Sequence, residues 1–425
     1  HNTHHSSALL RMVRMRRKKP YYGWFIAITL ACTETIAWGV LYFAFTVFIT
    51  PMEAEFGWSR SELIGGFSLL LLVAGAMAFP VGAYIDKHGA RRLMTLGSVG
   101  AMLLVIAWSQ VQTLTGFYLV WAGLGVCGAA ILYEPAFAVI AQWFQVRRSL
   151  ALTVITFAAG LSSTIFLPLC DALLRAFGWR TAVLILGLFL GCMTIPLHAF
   201  MLRRHPSDLG LLPDGGVKTD DDTFEPPRGL PFRAAMQERI FWLLTLAFGL
   251  STLAAAAIRV HFIPYLISIG IDASTAAAAT GIIGVTQVVG RVFFAPLDRR
   301  FSVLTVILGI FIMQTLSAVC LVVGHSAVLV GAFIVFFGAS QGAATLSRPS
   351  VLVELFGSTH YGRISSVLTI VVTIGNTVAP LVAGMLYDQA GDYQLVLWIV
   401  MGLALLATVV ALVSLRERVT PLVTA

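Results

Sequence analysis

Apolar residues run along this chain in blocks of twenty or more from residue 22 to residue 415, with no strand-like alternation. Breaks at proline, glycine and charge clusters divide the run into twelve spans. Their approximate limits are 22–48, 62–84, 92–111, 115–143, 149–175, 180–202, 240–269, 275–297, 302–323, 327–355, 363–387 and 393–415. Each is long enough to cross a hydrocarbon core of ~30 Å. Lipid offers no partner to an open backbone group, so only helices and closed barrels can cross. Long runs without a period of two predict helices.

The segment 203–239 interrupts this pattern with "HPSDLGLLPDGGVKTDDDTFEPPRGLP", which is rich in Pro, Gly and Asp and reads as a linker. It divides the chain six plus six. The expected layout is a basic arm at 1–21, a six-helix bundle at 22–202, the linker, a second bundle at 240–416 and a tail at 417–425. Composition agrees with a membrane protein: 58% of residues are hydrophobic and 11% charged, with a mean hydropathy of +0.88. A soluble domain carries about 25% charged residues.

The formal charge of +8 would point to nucleic acid in a soluble protein. Here 22 of the 28 Lys and Arg fall in the arm, the even-to-odd loops, the linker and the tail. Only Arg60, Arg175 and Arg180 fall on the opposite side. This bias predicts both termini in the cytoplasm of a cell whose inner, plasma membrane holds the protein. It implies contact with anionic lipid and no nucleic-acid partner. The opening "HNTHHSS" has no apolar core and does not read as a signal peptide. Five cysteines without CxxC or zinc spacing read as small buried residues. No nucleotide-binding loop, metalloprotease motif or nucleophile elbow occurs, so neither an enzyme nor a cofactor is expected.

One phrase occurs twice: "GAAILYEP" at 128–135 and "GAATLSRP" at 342–349. Other pairs match as well. "GAMAFPVGAYIDKHGARR" in span 2 parallels "GRVFFAPLDRR" in span 8, and Arg148–Gly160 parallels Arg363–Gly375 in spacing. Two similar six-span halves are the signature of a secondary transporter built from parallel repeats. Each copy of the phrase places an ionisable group before a proline, Glu134 in one and Arg348 in the other. Each proline is expected to break a backbone bond and free a carbonyl.

A charge at mid-bilayer costs ~3 kcal/mol or more by insertion scales, so each buried one is a functional candidate. Glu34 lies ~15 Å along span 1 from Trp24 and is a candidate proton carrier. Glu134 is a second. Glu134 and Arg348 either clamp the halves together or form a site in which Arg348 takes an anion and Glu134 is the acid it releases. Arg259 and His261 diverge by ~200° on one helix, so only one can point squarely inward. His261, three residues before Pro264, is the one expected to point squarely into the cavity; Arg259, which can snorkel outward, stays in the candidate substrate-binding set. Arg291, beside Gly290, offers a fork suited to a carboxylate and is the leading anion ligand. Asn376, Gln287 and Tyr133 complete the candidate substrate-binding set. Asp171 is expected at a solvated helix end.

The motif "GAYIDKHGARR" between spans 2 and 3 resembles the loop signature of the major facilitator superfamily. Within it, "WFQVRRSLALTVITFAAG", "GW" at 23–24 and "QVVGR" ending at Arg291 resemble the monocarboxylate-transporter-like branch. The resemblance implies an all-α fold of twelve helices in two pseudo-symmetric bundles, with spans 1, 4, 7 and 10 around a central cavity. It also implies a gating latch of Asp86, Arg91 and Arg92 with Asp298 and Arg299. Departures are plain: Pro20-Tyr21-Tyr22 replaces the opening acid and glycines, Val146 the lysine, and Gln287 the span-8 aspartate. The span-1 lysine of animal members falls near Tyr42 or Phe43.

The resulting expectation is a monomeric, proton-coupled carrier of a small organic anion, monocarboxylate-like, working by alternating access. The rivals are a proton-coupled exporter of cationic or amphipathic drugs, a lipid translocase and a ligand-binding receptor. The receptor would need an output domain, and the longest soluble segment is the linker.

Overall fold

The computed structural model describes residues 21–215, 229–324 and 326–417. The arm, the centre of the linker and the end of the tail lie outside the described residues. Among those described, all regular structure is helical, and pairing between strands is limited to one isolated bridge, Gly229 to Gly357.

Each predicted span is present. Span 1 is Tyr22–Trp38, a π turn at Gly39–Phe43, and Ala44–Phe56. Span 2 is Arg60–His88 and span 3 is Ala90–Ser109. Span 4 comes in two pieces, Leu114–Ile131 and Tyr133–Trp143. Spans 5 and 6 run through Arg148–Gly160 and Ser162–Pro196, with a break at Gly178, whose φ of 74° lies in the left-handed region that glycine tolerates. Spans 7 to 12 are Arg239–Ser268, Ala273–Arg300, Val303–Val323, Ala327–Phe356, Tyr361–Ala390 and Gln394–Ser414.

Local chemistry sets several of the ends. Ser59 and Glu62 form a reciprocal capping box at the start of span 2. Asp272, Ser302 and Ser326 cap spans 8, 9 and 10. The two copies of the repeated phrase differ. Pro135 accompanies a real break, with Leu132 extended at φ −89° and ψ −164°. Pro349 sits inside a continuous helix, where it lacks the N–H of one backbone bond but does not divide the span.

Buried apolar side chains form three clusters. One lies wholly in spans 1 to 6 and includes Phe48, Trp108 and Trp121. A second lies wholly in spans 7 to 12 and includes Phe262, Phe333 and Tyr393. The largest draws on both halves, from Ile26, Ile85 and Trp143 to Phe241, Phe356 and Tyr361. Its members sit at the span ends nearest the termini and the linker. The halves are therefore packed together at the terminal end and form separate cores at the other. All five cysteines are free thiols; Cys127 and Cys170 are buried as expected, Cys320 is half-buried, and Cys32 and Cys192 are exposed.

The seal is tightest where span 2 meets span 11. A Cβ on Gly82 would lie 2.1 Å from the Gly362 carbonyl oxygen, so only glycine permits this approach. Close backbone contact supplies the packing that lipid, as apolar as the helices, does not drive. Gly75, Ala78 and Gly82 form one small-residue face of span 2, and a Cβ on Gly75 would meet Thr373 of span 11.

Candidate functional site

A cavity that draws on both halves has a volume of about 650 Å³ and is lined by spans 1, 2, 4, 7, 10 and 11. The π turn and the break in span 4 both lie at its wall. Trp38 immediately precedes the π turn and Tyr42 lies within it, while Tyr133 and Glu134 open the second piece of span 4. π turns inside helices recur at functional sites because they re-aim side chains. Glu134 also stands in the first helical turn of its piece, where the helix dipole favours a carboxylate.

Glu134 is the acid on this wall. Its carboxylate accepts hydrogen bonds from Ser365 Oγ and Thr369 Oγ1 of span 11, both at 2.7 Å. Arg348 Nη2 lies 3.9 Å from Glu134 Oε1, a distant ion pair between the halves. The repeated phrases thus do meet. Arg348 lines both this cavity and an adjoining chamber of about 130 Å³.

Arg259 lines the same two chambers. Its Nη1 donates to Gln341 Oε1 at 3.2 Å and its Nη2 to Asn376 Oδ1 at 2.6 Å. Both acceptors are neutral amides, so they hold the fork without cancelling its charge. Tyr42 lines the same cavity. Of the span-7 pair, Arg259 and not the favoured His261 points into the cavity. His261 faces away from the main cavity, with Nε2 at 3.0 Å from the Pro380 carbonyl oxygen and Nδ1 at 3.3 Å from Tyr393 Oη. Those partners, on spans 11 and 12, fix the rotation of span 7 and send Arg259 inward.

Arg291 also departs from its expected role. It is 9% exposed and its Nη1 donates to the Thr156 carbonyl oxygen of span 5 at 2.7 Å. Gly160 makes room for it, since a Cβ there would lie 2.6 Å from that Nη1. Arg291 ties span 8 to span 5 across the halves and does not line the cavity. Gln287 lies at the contact of span 8 with span 10, where a Cβ on Gly342 would strike its carbonyl oxygen, and it is likewise outside the cavity lining. Asn376 and Tyr133 line the cavity as expected.

Glu34 is fully buried. Its Oε2 accepts from the Trp38 indole N–H at 3.1 Å, and its Oε1 has no hydrogen-bond partner among the described residues. It sits behind Trp38 and is not itself on the cavity surface.

At the terminal end, Asp86 accepts from the backbone N–H groups of Gly362 and Arg363, at 2.8 and 3.0 Å. It caps span 11 from the opposite half. Its expected basic partners are placed otherwise: Arg91 donates to the Ala199 carbonyl oxygen of its own half at 2.7 Å, and Arg92 is exposed. The side chains of Asp298 and Arg299 lie outside the described residues. Asp171 is at an exposed end, paired with Arg175 at 2.9 Å. Asp214 of the linker, which sequence reading passed over, accepts from three successive N–H groups, those of Gln145, Val146 and Arg147, at 2.9, 2.8 and 3.1 Å. The "DG" turn at 214–215 was the available signal.

A helical membrane protein with a charged cavity of this size between two helix bundles is built as a carrier. The sequence model of the Major Facilitator Superfamily matches residues 24–266 and 244–424, and the chain belongs to that family. It is 24% identical to an uncharacterized MFS-type transporter, YcxA, of Bacillus subtilis, over 95% of this chain and 97% of that protein. It is 25% identical to human monocarboxylate transporter 12, over 88% of this chain and 76% of that protein. Among solved structures it is similar to the transporter FucP in the outward conformation. That match has a TM-score of 0.70, is 15% identical, and covers 91% of this chain and 98% of that one. A bacterial homologue of the iron transporter ferroportin gives a TM-score of 0.72 at 16% identity, over 92% and 100% of the two chains. The chain is thus an integral membrane transporter of this fold, and its relatives are transporters, not enzymes.

Proposed function

We infer that the protein is a proton-coupled carrier of organic carboxylates, made of two bundles at 22–202 and 240–416 joined by the linker. One observation carries this reading. The cavity between the halves presents two guanidinium groups, Arg259 and Arg348, against one lining carboxylate, Glu134. The excess positive charge in a low-dielectric site selects an anion over a cation and disfavours the drug-exporter reading. The name of the monocarboxylate transporter relative supports the same substrate class.

Glu134 and Arg348 form the coupling pair. With Glu134 ionised, it competes with substrate for Arg348. A proton on Glu134 removes that competition, so anion and proton load together. Glu34, buried behind Trp38, is the second candidate proton site. The described conformation is sealed at the terminal end, and the positive-inside bias makes that end cytoplasmic. A label on Arg416→Cys reachable only from the cytoplasm, and one on Gln112→Cys reachable only from outside, checks the sidedness. Labelling of both from one side would overturn it.

A thermal-shift screen of the purified protein against carboxylates tests the substrate class. A ligand at a hundred times its Kd stabilises by about 2.7 kcal/mol. Carboxylates should raise the melting temperature of the wild type and leave the Arg259→Gln, Arg348→Gln double variant unmoved. A screen in which amines stabilise and carboxylates do not would replace this reading with the exporter.

A further inference from the structure

The cavity is chemically divided, and the division specifies more than a charge. On the side of the first half it shows three aromatic rings, Trp38, Tyr42 and Tyr133. Trp38 lies 5.2 Å from Tyr42 and 5.2 Å from Tyr133, so the rings form one continuous ledge. Each is held from behind. Tyr42 packs edge-on against Phe67 at 4.8 Å, and Tyr133 stacks on Phe137 at 5.1 Å and 10°. The Trp38 indole N–H is fixed by Glu34. On the side of the second half stand Arg259, Arg348 and Asn376.

We propose that the substrate is an arylcarboxylate, its carboxylate on Arg259 and Arg348 and its ring on the ledge of Trp38, Tyr42 and Tyr133. This deepens the organic-anion reading and rests on it. Size is compatible with this: at about 650 Å³ the cavity falls in the range of sites for drug-sized ligands, roughly 300–1,000 Å³. The ledge is rigid before binding, so a flat ring gains its contacts with little ordering of the site. Aromatic rings also prefer offset or edge contacts with one another over equal apolar area. A cationic aromatic ligand would find the same ledge, but it would face the two guanidiniums opposite. A substrate that touches the ledge and the arginines at once bridges the two halves, and such a bridge is positioned to draw them together.

The test is equilibrium binding to the full-length protein in detergent at fixed pH, with phenylacetate, cyclohexylacetate, acetate and phenethylamine as probes. Phenylacetate and cyclohexylacetate share charge and approximate size and differ in the π system. Phenylacetate should bind roughly three- to tenfold more tightly than cyclohexylacetate, acetate should bind weakest of the three acids, and phenethylamine should not bind measurably. Trp38→Leu should bring the two ring acids to equal affinity, and Trp38→Phe should restore the preference. If Trp38→Leu does not purify, Tyr42→Leu serves, with Tyr42→Phe as its rescue. Equal affinity for phenylacetate and cyclohexylacetate in the wild type would overturn the aromatic proposal while leaving the anion reading intact. Binding of phenethylamine with none of the acids would overturn both.

Discussion

Glu134 and Arg348 approach to 3.9 Å across the two halves, yet the short hydrogen bonds of Glu134 come from Ser365 and Thr369. The acid is held by hydroxyls of span 11 and only loosely by the guanidinium. Ionised Glu134 still competes with an incoming anion for Arg348, but as a distant partner and not as a short, tight pair.

A double-mutant cycle measures this looseness. Glu134→Gln and Arg348→Gln should couple by about 1 kcal/mol or less, the value of a partly hydrated pair. A coupling of ~3–5 kcal/mol, as for a dry clamp left with one unpaired charge, would show that the pair exists to lock the halves.

The seal at the terminal end should respond to one methyl-bearing side chain. Gly82→Val puts a Cβ against the Gly362 carbonyl and forces spans 2 and 11 apart, at a cost of about 1–3 kcal/mol. Ser366 lines the small pocket beside Gly82. A Ser366→Cys reporter should react faster with a soluble maleimide in the Gly82→Val background, above the labelling of the five native cysteines. Unchanged reactivity would mean that the contact does not close this end.

Arg291 should behave as a tie between spans 5 and 8. Hydrogen bonds to charged groups are worth about 1.5–3 kcal/mol, so Arg291→Gln should lower stability by about 2 kcal/mol while phenylacetate affinity stays within twofold. Lost binding at unchanged stability would return Arg291 to the site.

On span 7, Arg259→Gln should weaken phenylacetate binding by about tenfold or more, the scale of one charged hydrogen bond. His261→Asn should change it less than twofold, because His261 bonds to Pro380 and Tyr393. The reverse order would mean that span 7 is rotated relative to the described structure.

These cases show what the sequence made legible. Helix length, apolar continuity and punctuation are local, and they located twelve spans to within a few residues at most ends. The loop motif and the duplicated phrase placed Glu134 and Arg348 on facing helices. Rotation about a helix axis is different. The spacing of Arg259 and His261 showed that one must face away, but the choice was made by a carbonyl and a hydroxyl on spans 11 and 12, far along the chain. Arg291 was misread for the same reason: its partner is a backbone oxygen at Thr156, to which no side-chain pattern points. Asp86 bonds to the backbone of span 11 in place of the basic residues that follow it.

The central claim is coupled movement of a carboxylate and a proton through the cavity of Glu134, Arg259 and Arg348. The direct measurement is phenylacetate uptake into proteoliposomes, with the external medium acidified relative to the lumen. Protein-free vesicles serve to subtract passive entry of the neutral acid. Uptake above that background should follow the pH gradient and collapse with a protonophore. It should lose its pH dependence in Glu134→Gln and vanish in the Arg259→Gln, Arg348→Gln double variant. Wild-type uptake no greater than that of protein-free vesicles, or equal to that of the double variant, would contradict the account.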